Sequence, residues 1–193
     1  MTSSIDTMSV KDAIFGRCSV RAYAPEQINQ STLRALLAAA VRAPTAMHGE
    51  PWQFVIIQDR DTLKRLSDRA KETLAAEAAQ LHTDRGSSDV FTQPGFNVFY
   101  DVGTLVVICA KTTDRFASAD CWLAAQNLML AAHAMGLGTC VIGLAASVLN
   151  LPDVKHELGI PPETTAVAPI IVGIPRGETL PSARKEPHVV AWR

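Results

Sequence analysis

Residues 120–143 read DCWLAAQNLMLAAHAMGLGTCVIG, and this stretch decides the fold. Its first sixteen residues are apolar at nearly every helical position, interrupted only by Asp120, Gln126, Asn127 and His133. A helix so poor in polar surface belongs in the centre of a fold or in a subunit interface. It is too short to span a bilayer, which takes about 20 residues. Gly136 and Gly138 then end the helix, and residues 139–142 read as a short strand. A buried helix feeding a buried strand predicts layers of helix packed on sheet.

Working outward, the apolar periodicity marks the other elements. Toward the N-terminus, residues 9–15 read as a short helix. Residues 31–42 read as a second helix capped by Ser31, with Leu33, Leu36, Leu37 and Val41 on one face. Residues 54–58 (FVIIQ) form a strand, and residues 61–81 a long amphipathic helix. Residues 102–110 (VGTLVVICA) read as a buried strand, 154–158 as a brief helix and 166–174 (AVAPIIVGI) as the last strand. Between the long helix and the buried strand, residues 83–101 break the pattern and hold Phe91, Phe96, Phe99 and Tyr100. Unstructured segments of this length in a compact domain are usually functional or disordered, and the aromatic content favours a packed lid. From Pro175 the chain reads as an extended arm. Neither repeat nor linker interrupts the 193 residues, so the expectation is one α+β domain.

Composition excludes several classes. With 18 Lys+Arg against 19 Asp+Glu the net charge is −1, so no cationic excess awaits a nucleic acid or an anionic membrane. The opening residues lack a basic stretch followed by an apolar one, which predicts a soluble, cytoplasmic protein without a signal peptide. Cys18, Cys109, Cys121 and Cys140 form no C-x-x-C pair; Cys109 and Cys121 sit in apolar stretches that suit buried free thiols. His156-Glu157 fails the H-E-x-x-H pattern, no G-x-S-x-G occurs, and Val141 stands where a dinucleotide fingerprint needs its third glycine. No metal site is expected.

Three segments carry potential chemistry. Arg17-Cys18-Ser19-Val20-Arg21 places two guanidinium groups and a hydroxyl where they can face one phosphate, or simply face water. Arg184-Lys185, in the arm, would add to that charge if the arm folds back. Residues 43–54 (APTAMHGEPWQF) are stiffened by Pro44 and Pro51 and turned by Gly49. They suit either a rigid connection or backbone reading of a flat heterocycle. Gly136, Gly138 and Gly143 either admit a ligand close to backbone or form a tight helix-to-strand turn.

In this order the segments resemble the nitroreductase family of FMN-dependent oxidoreductases. The resemblance rests on R-x-S-x-R (17–21), P-T-x5-P-W-x-F (44–54), D-x-x-x-A-x-Q-N-x-x-L-A-A (120–132), G-L-G-T-C-x-I-G (136–143), V-G-x-P (172–175) and Arg184-Lys185 before Pro187. It implies a central, mostly antiparallel sheet flanked by helices and an intertwined homodimer with FMN at the interface. It also implies NAD(P)H as co-substrate and a small-molecule acceptor, a nitroaromatic or quinone, reduced through flavin N5 by ping-pong hydride transfer. Arg17, Cys18, Ser19 and Arg21, with Arg184 or Lys185, would hold the phosphate and ribityl chain. Pro44, Thr45, Ala46, Met47 and His48 would approach from the partner chain, and Val141, Ile142 and Gly143 would lie along the ring. A backbone N–H of residue 142 or 143 would sit near N5, and no side chain is nominated as acid or base. His48 and Glu50 stand where the family often has Asn and Gln. The same resemblance embraces enzymes that consume flavin or remove halogens, and a flavin-binding protein without turnover.

Overall fold

The computed structural model describes residues 8–81, 93, 95–111 and 114–193. Its first helix, α1 (Val10–Gly16), starts at Ser9, whose hydroxyl oxygen accepts the Asp12 N–H at 3.1 Å. The next, α2 (Gln30–Ala40), is capped by Asn29 and not by Ser31. Asn29 Oδ1 accepts the Thr32 N–H at 2.8 Å, and the Ser31 hydroxyl donates to that same oxygen at 2.7 Å. An amide oxygen reaches the third residue's N–H as well as a hydroxyl does, so of the two candidate cap residues the earlier one prevailed.

Strand β1 (Trp52–Ile57) follows, then α3 (Arg60–Leu81), which begins where Asp59 Oδ1 accepts the Thr62 N–H at 2.8 Å. Strand β2 is Leu105–Ala110, three residues shorter at its start than its apolar run. Residues 102–104 are buried without belonging to the ladder: Val102 N–H donates to Phe99 O, and Thr104 O accepts the Val172 N–H. Helix α4 (Ala117–Ala134) leads to β3 (Gly138–Val141). Two short helices, α5 (Ala145–Leu149) and α6 (Pro152–Glu157), precede β4 (Thr165–Gly173). At five residues, α5 is barely one turn, so no apolar period announces it in the sequence.

The four strands form one sheet in the order β1-β2-β4-β3, with every neighbouring pair antiparallel. β2 is buried along its whole length, and its side chains alternate between two cores. Leu105, Val107 and Cys109 face a cluster built with α3, α5 and α6; Val106, Ile108 and Ala110 face one built with α2 and α4. A sheet covered on both faces needs a run of unbroken hydrophobicity, and that is what residues 105–110 supply. In β4 the alternation slips. A bulge opposite Ile108 and Cys109 leaves Ala166 in the first cluster and both Val167 and Ala168 in the second.

α4 packs one side against the sheet and α2, burying Cys121, Ala124, Ala125 and Leu128 completely. Its other side exposes Trp122 and Leu123. α1 likewise exposes Val10, Ile14 and Phe15, and the arm exposes Leu180, Val190 and Trp192. Of the aromatic connection, Phe91 falls outside the described residues. Val98 and Phe99 are buried in the first cluster, and the Phe96 and Tyr100 rings meet edge to face at 5.5 Å.

Candidate functional site

The segment after α1 runs across the ends of β3 and β4. Val20 N–H donates to Thr139 O at 3.0 Å, and Ser19 bridges Thr139 in parallel. Glycine makes this crossing possible: a Cβ on Gly138 would lie 2.8 Å from the Val20 side chain, and one on Gly173 2.7 Å from the Tyr23 ring. Gly138 thus admits the protein's own chain and not a ligand. Gly136, at φ +75°, supplies the tight turn. A Cβ on Gly143, as on Gly136, would meet nothing within 4 Å, and of these two only Gly143 lines a cavity with Arg21.

The Tyr23 hydroxyl donates to Val20 O at 2.7 Å and locks the segment from below. Burial drives its pKa far above the ordinary phenol value, with Cys140 adding to the shift, so it stays a neutral donor. Cys18 and Cys140 are buried beside it as free thiols. Cys109 and Cys121 are free as well; burial pushes them up to about 11 and about 12, which leaves them inert thiols.

With this segment fixed, Arg21 shares a cavity of about 150 Å³ with residues 140–144 and with Phe96, Val98 and Tyr100 of the aromatic connection. Arg21, Val141, Ile142 and Gly143 are therefore brought together as expected. Phe96 and Tyr100, from the aromatic stretch expected to form a packed lid, join them, as do Val98 and Leu144, which no sequence signal marked. Ile142 N–H donates to Pro169 O at 2.9 Å, whereas Gly143 N–H has no acceptor among the described residues. Of the two amides expected to face a ring, Gly143 is the uncommitted one.

The cations near the cavity are also uncommitted. Neither Arg17, half-buried, nor Arg21, exposed, forms an ion pair among the described residues. The arm starts beside them: Tyr23 bridges Pro175, Ala24 N–H donates to Ile174 O, and Arg176 N–H to Ala22 O, both at 2.9 Å. Arg184 and Lys185 follow in its exposed continuation.

The 43–50 loop does not line the cavity of its own chain. Its single turn of 3-10 helix (Ala46–His48) leads into β1, and Met47, His48 and Glu50 all hold positive φ, at 52°, 56° and 40°. Left-handed backbone at three residues with Cβ atoms is strain of the kind that clusters at binding sites. Met47 is 93% exposed, while Pro44 is exposed and Thr45 and Ala46 are half-buried.

Among the larger cavities elsewhere are two of about 390 Å³ each. One, along α3, has Lys64 and Lys71 both bonded to Asp68; the other, around residues 150–162, has the buried Lys155 ammonium donating to Pro162 O. Neither contains Arg17, Arg21 or residues 141–143. Among the described residues no helix is long and apolar enough to cross a membrane.

Comparison with known proteins bears on the family and the fold. The family model described as the nitroreductase family matches residues 14–174. The chain is 26% identical to an NADH dehydrogenase of Thermus thermophilus, with both chains covered in full. It is 29% identical to a 5,6-dimethylbenzimidazole synthase of Rhodospirillum rubrum, over 86% of this chain and 82% of that one. A nitroreductase with bound FMN from Bacteroides fragilis superposes with a TM-score of 0.83 at 26% identity, covering 97% of this chain and all of the other.

Proposed function

The chain belongs to the nitroreductase family, and from that premise we propose that it is an FMN-dependent oxidoreductase acting as a homodimer, reducing nitroaromatics, quinones or a related acceptor with NAD(P)H. The observation that carries this reading is the meeting of one guanidinium group, that of Arg21, with an open backbone edge. Arg21 faces the same cavity as residues 141–143, Gly143 N–H is uncommitted, and Arg17 lies four residues away.

The donor set fits a flavin mononucleotide. Arg17, Ser19 and Arg21 offer fixed donors to a phosphate, and Cys18, buried between them, anchors the segment that presents them. Arg184 and Lys185 reach the same phosphate once the arm continues past its pairing with residues 22–24. Val141, Ile142 and Gly143 form the wall for the ring. Bound FMN supplies the redox chemistry, accepting hydride from NAD(P)H and passing electrons to the acceptor. This chain's part is to hold the ring, keep the phosphate neutralised and leave one face open to both substrates in turn. No side chain is required as acid or base.

One chain does not complete the pocket. A cavity of about 150 Å³ is smaller than the ~300–1,000 Å³ typical of small-molecule sites. Pro44, Thr45, Ala46, Met47 and His48 of a second copy supply the missing wall. The apolar side chains left bare on α1, α4 and the arm support such an association.

The test is direct. Purified protein is yellow, sediments at twice 20.8 kDa and is bleached by NADH or NADPH without air. With an acceptor, initial-rate lines run parallel. A colourless 21 kDa species that takes up no FMN would sink the reading. The likeness to a 5,6-dimethylbenzimidazole synthase favours a second reading, in which flavin is itself consumed. Admitting air after bleaching separates the two: the flavin spectrum returns for a reductase and is lost for an enzyme that consumes it.

A further inference from the structure

We propose that Asp120 is a positioning residue that holds the 45–50 loop in its strained, ligand-ready form. Asp120 lies in the first turn of α4 and is 5% exposed. A carboxylate so buried needs strong partners, since burial of an uncompensated charge is costly. No cation pairs with it among the described residues. Its partner is instead the Ala46 N–H, which lies 3.3 Å from Oδ1 and 3.2 Å from Oδ2. The positive end of the α4 dipole supports the charge from the other side.

Ala46 is the peg on which the loop hangs. Its N–H is held by Asp120, and its carbonyl accepts the Gly49 N–H at 2.9 Å. Between and beyond these bonds lie the three left-handed residues, Met47, His48 and Glu50. Left-handed backbone is unfavourable for an L-residue, so the loop relaxes unless something rigid fixes it. A helix buried against the sheet is such a fixture, and Asp120 is the link between the two. The functional half of this inference rests on the flavin reading above, in which the loop closes the partner's pocket.

The test compares Asp120→Asn, which keeps an acceptor at the same volume, with Asp120→Leu, which fills the space and removes it. In full-length Asp120→Leu, amide hydrogen exchange across residues 43–50 rises at least about ten-fold while β4 is unchanged. FMN affinity falls by a similar factor with little change in kcat at saturating flavin. Asp120→Asn stays within about three-fold of the unmutated protein on both counts, because its amide oxygen still accepts the Ala46 N–H. Glu50→Gly relieves part of the strain, so in that background Asp120→Leu costs less. Unchanged loop exchange in a folded Asp120→Leu protein overturns the proposal. So does an Asn variant as impaired as the Leu variant, or a Leu variant that cannot fold where the Asn variant can, which would make Asp120 a folding residue. If the unmutated protein binds no FMN, the flavin half falls with the functional reading, and the exchange data still decide whether Asp120 ties the loop.

Discussion

Two basic regions of the molecule treat their charges in opposite ways. Along α3, Lys64 and Lys71 share Asp68 at 2.8 and 2.9 Å, Arg69 meets Asp153 at 2.7 Å, and Arg65 bonds Glu157. After α1, Arg17 and Arg21 stand only four residues apart with no carboxylate to answer them among the described residues. The paired region is a solvated surface; the unpaired one is where the proposed function puts the flavin phosphate. Cation count would not separate them, since α3 is the richer in basic residues. Partner status does.

The comparison is most exposed to Arg21→Ala. Loss of a hydrogen bond to a charged group costs about 1.5–3 kcal/mol, so FMN affinity measured by fluorescence titration should drop roughly ten- to a hundred-fold. Flavin retention unchanged by this substitution would erase the distinction between the regions. Next comes Gly138→Ala, which acts on the scaffold under Arg21. Its new methyl meets Val20 at 2.8 Å, and overpacking of this kind costs about 1–3 kcal/mol, read as a lower urea midpoint with weakened flavin binding. A variant with unaltered midpoint and affinity would show that the crossing segment moves aside freely.

On the other region Lys64→Ala should do little: the pair is exposed, so the urea midpoint barely moves and FMN affinity stays put. A change in affinity would mean that the α3 surface belongs to the site after all. The smallest effect is on pH. The hydrogen bond from Lys64, then that from Lys71, holds Asp68 below the usual carboxylate range. Its contribution to stability is thus complete above the unfolded value near 3.9 and fades as pH falls through the lower folded one. In Asp68→Asn that acid-limb loss should shrink slightly in a denaturation series below about pH 4. Arg21→Ala should leave the limb untouched.

Much of this was legible in the residues themselves. The apolar run at 102–110 called for a buried strand, and the helix at 120–135 for a place in the centre of the fold or in an interface, because hydrophobic periodicity is a local record of burial. The ordered segments 17–21, 44–54 and 136–143 carried the resemblance to a family. Boundaries were less legible. Asn29 and Ser31 are both good caps, and only the folded geometry selects between them. Residues 102–104 are as apolar as a strand but leave the ladder to close the turn from Phe99.

What the sequence determined alone was composition of the layers and identity of the chemical groups, since both follow from side-chain type and spacing. Tertiary structure decided which groups were spoken for. Gly138 serves Val20 and not a ligand, Ile142 N–H belongs to Pro169 while Gly143 N–H is spare, and Asp120 answers a loop 74 residues away. Each of these depends on a partner distant in the chain, and hydrogen-bond and steric partnerships of that kind exist only once the sheet and its crossings have formed.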